Sequence, residues 1–328
     1  MRTLAAAGIL AAVFLQACSG GGAREEFTFT SPASTPTAMA VGESRPNSQS
    51  LFDPPPFTAG NSSGGCGAPQ NASDLIASVQ SAGADRSYRV HLPSGYSPTH
   101  PAPLVMNLHG SSKTALEQET YSGLAPVADR EGFILVSPEG SGRSQEWAIV
   151  GFYEDAGIED VVVTRQIVEA VQAAFCVDPA RIYATGHSNG AQMASQVGCY
   201  LPDIFAAVAP VSGVVFQGCD GRSMPVISLH GTEDYNVPFE TAQPAMAEWA
   251  AHNGCSADQE RVPVTEHVSR ESYLGCDGAD VVLYVVEGGG HTWPDAEDYS
   301  GGAGPTTHEI NANALIWAFF ASHPMPRN

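Results

Sequence analysis

Basic residues are scarce in this 328-residue sequence. Lys and Arg total 14 against 35 Asp and Glu, a formal charge of −21, and Lys113 is the single lysine. A nucleic-acid partner requires a basic face, so that class is excluded, and the acidity speaks to solubility rather than to fold. No C-x-x-C pair occurs, which argues against a zinc site. The apolar run Leu4 to Leu15 falls short of the roughly 20 residues that cross a bilayer as a helix. No internal repeat and no second domain is apparent. What remains is a chain with 43% hydrophobic residues, enough for one large α/β domain with a sizeable core.

The N-terminus reads as a targeting signal. Arg2 supplies the charge, Leu4 to Leu15 the short apolar stretch, and Leu15-Gln16-Ala17-Cys18 resembles a bacterial lipobox. The expectation is a lipoprotein-type signal over 1–18 with Cys18 lipidated. Gln16 stands where a small residue is usual, so ordinary cleavage and secretion is the alternative. Residues 19–65 are rich in Ser, Thr, Pro and Gly and read as a disordered tether; 66–328 reads as the folded domain. Export recasts the cysteines as disulfides. Cys255 and Cys276 bracket a polar segment and are the leading pair. Cys176 precedes a strand and Cys199 ends the helix after it, which suggests a second pair and leaves Cys66 with Cys219.

Short apolar runs alternate with helical patterns. Arg86–Leu92, Pro103–Leu108, Phe133–Val136, Phe205–Val211, Pro225–Leu229 and Val281–Val286 read as strands, most of them too continuously apolar to face water. Thr114–Glu131, Asp160–Phe175, Ala242–His252 and His308–Ser322 read as helices. The pattern predicts a mostly parallel sheet with helices on both faces.

Arg181 to Met193, RIYATGHSNGAQM, is the stretch with chemistry. A strand runs into Gly186-His187-Ser188-Asn189-Gly190 and a helix leaves it, the context of a nucleophile elbow. Gly60-Asn61-Ser62-Ser63-Gly64 fits the same pattern but lies in the polar linker. Ser188 is therefore the candidate nucleophile. It needs a base, and the base needs an orienting acid. His230-Gly231-Thr232-Glu233-Asp234 follows one buried strand and Gly288-Gly289-Gly290-His291 another, the places where such sheets hold their sites. His291 is the candidate base and Asp234 the acid, with the adjacent Glu233 as the alternative. Asp155, Glu159 and Asp160 precede the serine and suit loop and helix-start positions. An oxyanion hole is expected from the backbone N–H groups of Asn189 and Ser111. His109, His187 and His230 are expected to shape loops. Trp147 and Trp293 are expected to wall a substrate pocket; Trp249 and Trp317 are expected to pack.

RIYATGHSNGAQMA, FAAVAPVSG, LHGTEDYNVPF and GGGHTWP, in this order, resemble the exported esterases of the poly(3-hydroxybutyrate) depolymerase and feruloyl esterase family. The resemblance covers Ser87 to the C-terminus. It implies an α/β-hydrolase fold, a triad of Ser188, Asp234 and His291, no metal or organic cofactor, and an ester substrate, aromatic-acid on polysaccharide or aliphatic polyester. Ala191 and the segment around Trp147 depart from many relatives. Two other activities compete: a serine peptidase on the same fold, for which no accessory domain is visible, and a non-catalytic binding protein, which the complete motif order argues against.

Overall fold

The computed structural model describes residues 62–69, 73–142, 144–150, 159–276, 278–297 and 303–326. The expected signal with Cys18, most of the expected tether, and Asp155 lie outside the described residues.

Among the described residues one sheet of ten strands forms the frame: β1 Asp74–Ser81, β2 Ala84–His91, β3 Ala102–Leu108, β4 Ile134–Pro138, β5 Val177–His187, β6 Ala207–Val211, β7 Val226–Gly231, β8 Gln259–Pro263, β9 Val268–Tyr273 and β10 Val281–Val286. Their spatial order is β1-β2-β4-β3-β5-β6-β7-β10-β9-β8. The six inner strands from β4 to β10 run parallel. Antiparallel hairpins extend both edges, β1–β2 beside β4 and β8–β9 beside β10. The helices are α1 Ala115–Ser122, α2 Leu124–Glu131, α3 Glu159–Ala174, α4 Asn189–Tyr200, α5 Ala242–His252 and α6 Ala312–Ser322.

The strand period of two divides the core into two halves. Leu104, Met106, Ile182, Ala184 and Leu283 point to one face, where they meet α3, α4 and α5 through residues such as Ile167, Val197 and Trp249. Val105, Leu135, Tyr183, Leu229 and Tyr284 point to the other, against α2 and α6 through Val127, Ile316 and Phe320. A strand covered on both faces has no polar side to show, which is why these runs are continuously apolar in sequence.

Three expectations need correction. The helix expected over Thr114–Glu131 is two helices, because Gly123 adopts φ 64° and serves as C-cap of α1 and N-cap of α2. Strands β1, β8 and β9 were not anticipated. The cysteines pair as Cys66–Cys176, Cys199–Cys219 and Cys255–Cys276. Only the last pair matches expectation; Cys176–Cys199 and Cys66–Cys219 do not form. The reason is local backbone. Ser63 N donates to Val177 O and Gly65 N to Gln172 O, laying the segment ahead of Cys66 over the end of α3 and the start of β5. These bonds set Cys66 beside Cys176, and Cys199 pairs with Cys219 from the loop after β6.

Candidate active site

β5 ends at His187, and Ser188 turns the chain into α4 with φ 58° and ψ −123°. A left-handed backbone at a non-glycine residue costs of order 1–3 kcal/mol, so the surroundings must hold it. They do so partly through Ser188 N, which donates to Val211 O at 3.0 Å. The Ser188 side chain makes no capping bond to α4. Both flanking glycines are sterically required. A Cβ on Gly190 would lie 2.1 Å from Leu108 O, and one on Gly186 would lie 2.5 Å from Gly190 O. The elbow thus exists because α4 starts in backbone contact with β3.

The loop after β3 lies beside it. His109 is fully buried; its Nδ1 donates to Gly110 O at 2.8 Å and its Nε2 accepts from Gly140 N at 2.8 Å. Burial holds its pKa below the ordinary histidine value. Ser111 lines the same cavity as Ser188. Asn189 is at the first turn of α4, where its N–H has no intrahelical acceptor. Its side chain is spent on the loop around Trp147: Oδ1 accepts from Trp147 N at 2.7 Å. Gln196, two turns on, bonds both Val150 N and Ala148 O, so one face of α4 holds residues 147–150 as a neighbouring strand would.

Asp234 and His291 come together from loops after β7 and β10. Gly231 allows this: a Cβ there would lie 2.2 Å from Gly289 O, so the two loops touch backbone to backbone. His291 Nδ1 lies 2.7 Å from Asp234 Oδ2. The other carboxylate oxygen accepts from Asn236 N at 3.0 Å and Val237 N at 2.8 Å. His230 Nε2 stands 3.2 Å from Oδ2, with Val237 O nearer at 2.9 Å. Burial by itself would raise the Asp234 carboxyl. Hydrogen bonds from His230, His291 and Val237 N–H outweigh it and hold the group well below the usual carboxylate range. Glu233, the sequence alternative, is exposed.

Ser188, His187, His291, Gly110 and Ser111 open on one cavity of about 730 Å³. Lys113 and, on α1, Leu116, Glu117, Gln118, Thr120 and Tyr121 form a wall; Asn236, Glu297 and Ala303 line it elsewhere. Tyr121 was not singled out in the sequence. Its hydroxyl accepts from Trp293 N at 2.9 Å, and its ring meets that of His187 edge-on at 5.4 Å. No local motif marks it; only the packing of α1 against the His291 loop does.

Trp147 and Trp293 do not wall the cavity. They are 1% and 0% exposed, and neither lines it. Trp147 Nε1 donates to His109 O at 2.7 Å and Trp293 Nε1 to Asn313 Oδ1 at 3.0 Å, so each indole anchors a loop from behind. Trp249 is buried, and Trp317 stacks on Phe133 at 4.8 Å.

The chain matches the family described as Esterase PHB depolymerase over residues 86–236. It is similar to feruloyl esterase B of Piromyces equi, with 32% identity over 65% of this chain and 44% of that protein, so it spans less than half of that relative's length. It is similar to the "Probable feruloyl esterase C" of Aspergillus terreus, with 30% identity over 70% of this chain and 83% of that protein. Among solved structures it is similar to an acetyl xylan esterase from Aspergillus awamori, at TM-score 0.61 and 15% identity, over 76% of this chain and all of that one. The architecture is the α/β-hydrolase fold.

Proposed function

The chain belongs to the poly(3-hydroxybutyrate) depolymerase and feruloyl esterase family, and from that premise we propose that it is an exported serine esterase acting on aromatic-acid esters of a polysaccharide. One observation carries the reading: His291, held through Nδ1 by Asp234 Oδ2 at 2.7 Å, faces the cavity onto which the strained Ser188 opens. A hydrogen on Nδ1 leaves the Nε2 lone pair as the base.

In this reading Ser188 Oγ attacks the ester carbonyl and gives its proton to His291 Nε2. Asp234 steadies the imidazolium. The N–H groups of Ser111 and Asn189 receive the oxyanion. Collapse expels the alcohol, which takes the proton from His291, and leaves an acyl-enzyme. Water, deprotonated by His291, then releases the acid and restores Ser188. No step calls on a metal or organic cofactor.

The substrate class rests on the relatives' names and on Tyr121, an aromatic ring in the cavity wall beside Leu116. Export rests on three disulfides, which persist in oxidising compartments, and on the N-terminal segment. In this reading 1–18 is the signal, Cys18 carries the lipid, and 19–65 is the tether ahead of the catalytic domain.

The test sets methyl ferulate, a poly(3-hydroxybutyrate) film and a short p-nitrophenyl ester side by side, for the native chain and Ser188→Ala. The expected result is preference for methyl ferulate and loss of turnover on all three in the variant. Turnover surviving in Ser188→Ala overturns the serine mechanism; preference for the film moves the substrate to the polyester class. Unchanged membrane fractionation of Cys18→Ser removes the lipid anchor.

A further inference from the structure

We propose that His230 is a positioning residue for the Asp234–His291 pair, an inference that rests on the serine-esterase reading. His230 lies near the end of β7 with its side chain fully buried. Among the described residues its Nε2 faces two acceptors and no donor: Val237 O at 2.9 Å and Asp234 Oδ2 at 3.2 Å. Nε2 therefore carries a hydrogen, and this fixes the tautomer.

That hydrogen closes a small circuit. His230 holds the carbonyl of Val237, and the amide of the same residue donates to Asp234 Oδ1 at 2.8 Å. The turn from Asp234 to Val237 is pinned at its far end by His230, and the carboxylate is pinned by the turn. Oδ2 then has an N–H on each side, one from His291 and one from His230, which leaves the carboxylate plane little room to rotate away from His291.

The other ring nitrogen argues that the residue is there for this purpose. His230 Nδ1 is buried and has no hydrogen-bond partner among the described residues. A buried nitrogen without a partner is unfavourable, and a Phe would fill the same space without one. The edge-on neighbour Phe239, with centroids 5.8 Å apart, would accept a second aromatic ring equally well. What histidine adds over phenylalanine at this place is the Nε2 hydrogen.

Three variants separate positioning from packing. His230→Gln can carry an amide N–H to the Nε2 position. His230→Asn is as polar but too short to reach it. His230→Phe fills the space without a donor. The readouts are kcat and KM on a p-nitrophenyl ester and the rate at which a fluorophosphonate labels Ser188. The expected result is a fall of about 10- to 100-fold in kcat and in labelling for Phe and Asn, KM within about twofold, and recovery of at least fivefold in Gln relative to Asn. Gln and Asn equally impaired, or Phe retaining full kcat and labelling rate, overturns the inference. Native protein that takes no fluorophosphonate at Ser188 overturns the esterase reading instead, so the two failures are distinct.

Discussion

His187 stands next to Ser188 and beside His291, its ring centroid 4.6 Å from that of His291. Removal from water, with the nearby His291 adding to it, lowers its pKa from 6.5 to about 3. Between those values the unfolded chain binds a proton that the folded chain does not. Stability therefore rises with pH across this window, and is lost as pH falls from about 6.5 toward 3. Replacing the titrating ring should flatten the dependence: His187→Gln should narrow the gap between melting temperatures at pH 7 and pH 4.5, and an unchanged gap would refute the assignment. Asp234 belongs to the same scale. Asp234→Asn keeps the shape but turns the wrong tautomer of His291 toward Ser188, and kcat should fall about 10³- to 10⁴-fold in steady-state assays. At single residues the sequence was most legible where one backbone geometry admits one side chain. Gly186 and Gly190 were readable because the elbow excludes a Cβ. Motif order alone does not separate Asp234 from Glu233, since both are carboxylates in one loop; the approach of His291 to Asp234 distinguishes them. Trp147 and Trp293 misled because an indole in a site loop packs behind that loop as readily as it faces the substrate.

Among the elements, the parallel strands could be read directly because burial on both faces leaves an unbroken apolar run. The edge hairpins could not. β1 alternates exposed and half-buried residues, and β8 is exposed at nearly every position, so neither carries the signal of a buried strand. β9, with Ser269, Arg270 and Glu271 at its centre, is too polar to attract notice. The sequence puts carboxylates where they suit the N-terminus of α3, and Asp160 does sit there. Its larger role is invisible in sequence: fully buried, it forms an ion pair with Arg86 of β2 and accepts from Ala148 N at 2.7 Å. Removing Arg86 leaves a buried carboxylate without its counter-charge. Arg86→Ala should cost about 3–5 kcal/mol in urea unfolding. A loss below about 1 kcal/mol would mean that water or another group replaces the guanidinium.

For the whole molecule, 35 acidic against 14 basic side chains make self-repulsion a general term in stability. Salt shortens the reach of that repulsion from about 10 Å at 0.1 M to about 3 Å at 1 M. The melting temperature should therefore climb with sodium chloride over that range, and a flat or falling curve would show that local ion pairs such as Arg165–Asp203 outweigh it. The disulfide pattern was the least legible global feature, since spacing fixes only pairs that bracket one local segment, as Cys255 and Cys276 do.

The bond from Cys66 to Cys176 and the contact of Met325 N with Ala180 O at 2.8 Å bring both ends of the described domain to the start of β5. Ser188 follows the last residue of the same strand, whose stretch from Val177 to Gly186 lies alongside the seven residues of β3 from Ala102 to Leu108, about 20 Å at roughly 3.3 Å per residue. Within the described domain, Cys66 and Met325 therefore meet β5 near its start, and Ser188 stands past its end. A module inserted beside Cys66 or Met325 would attach at the end of β5 away from Ser188 and leave the cavity clear.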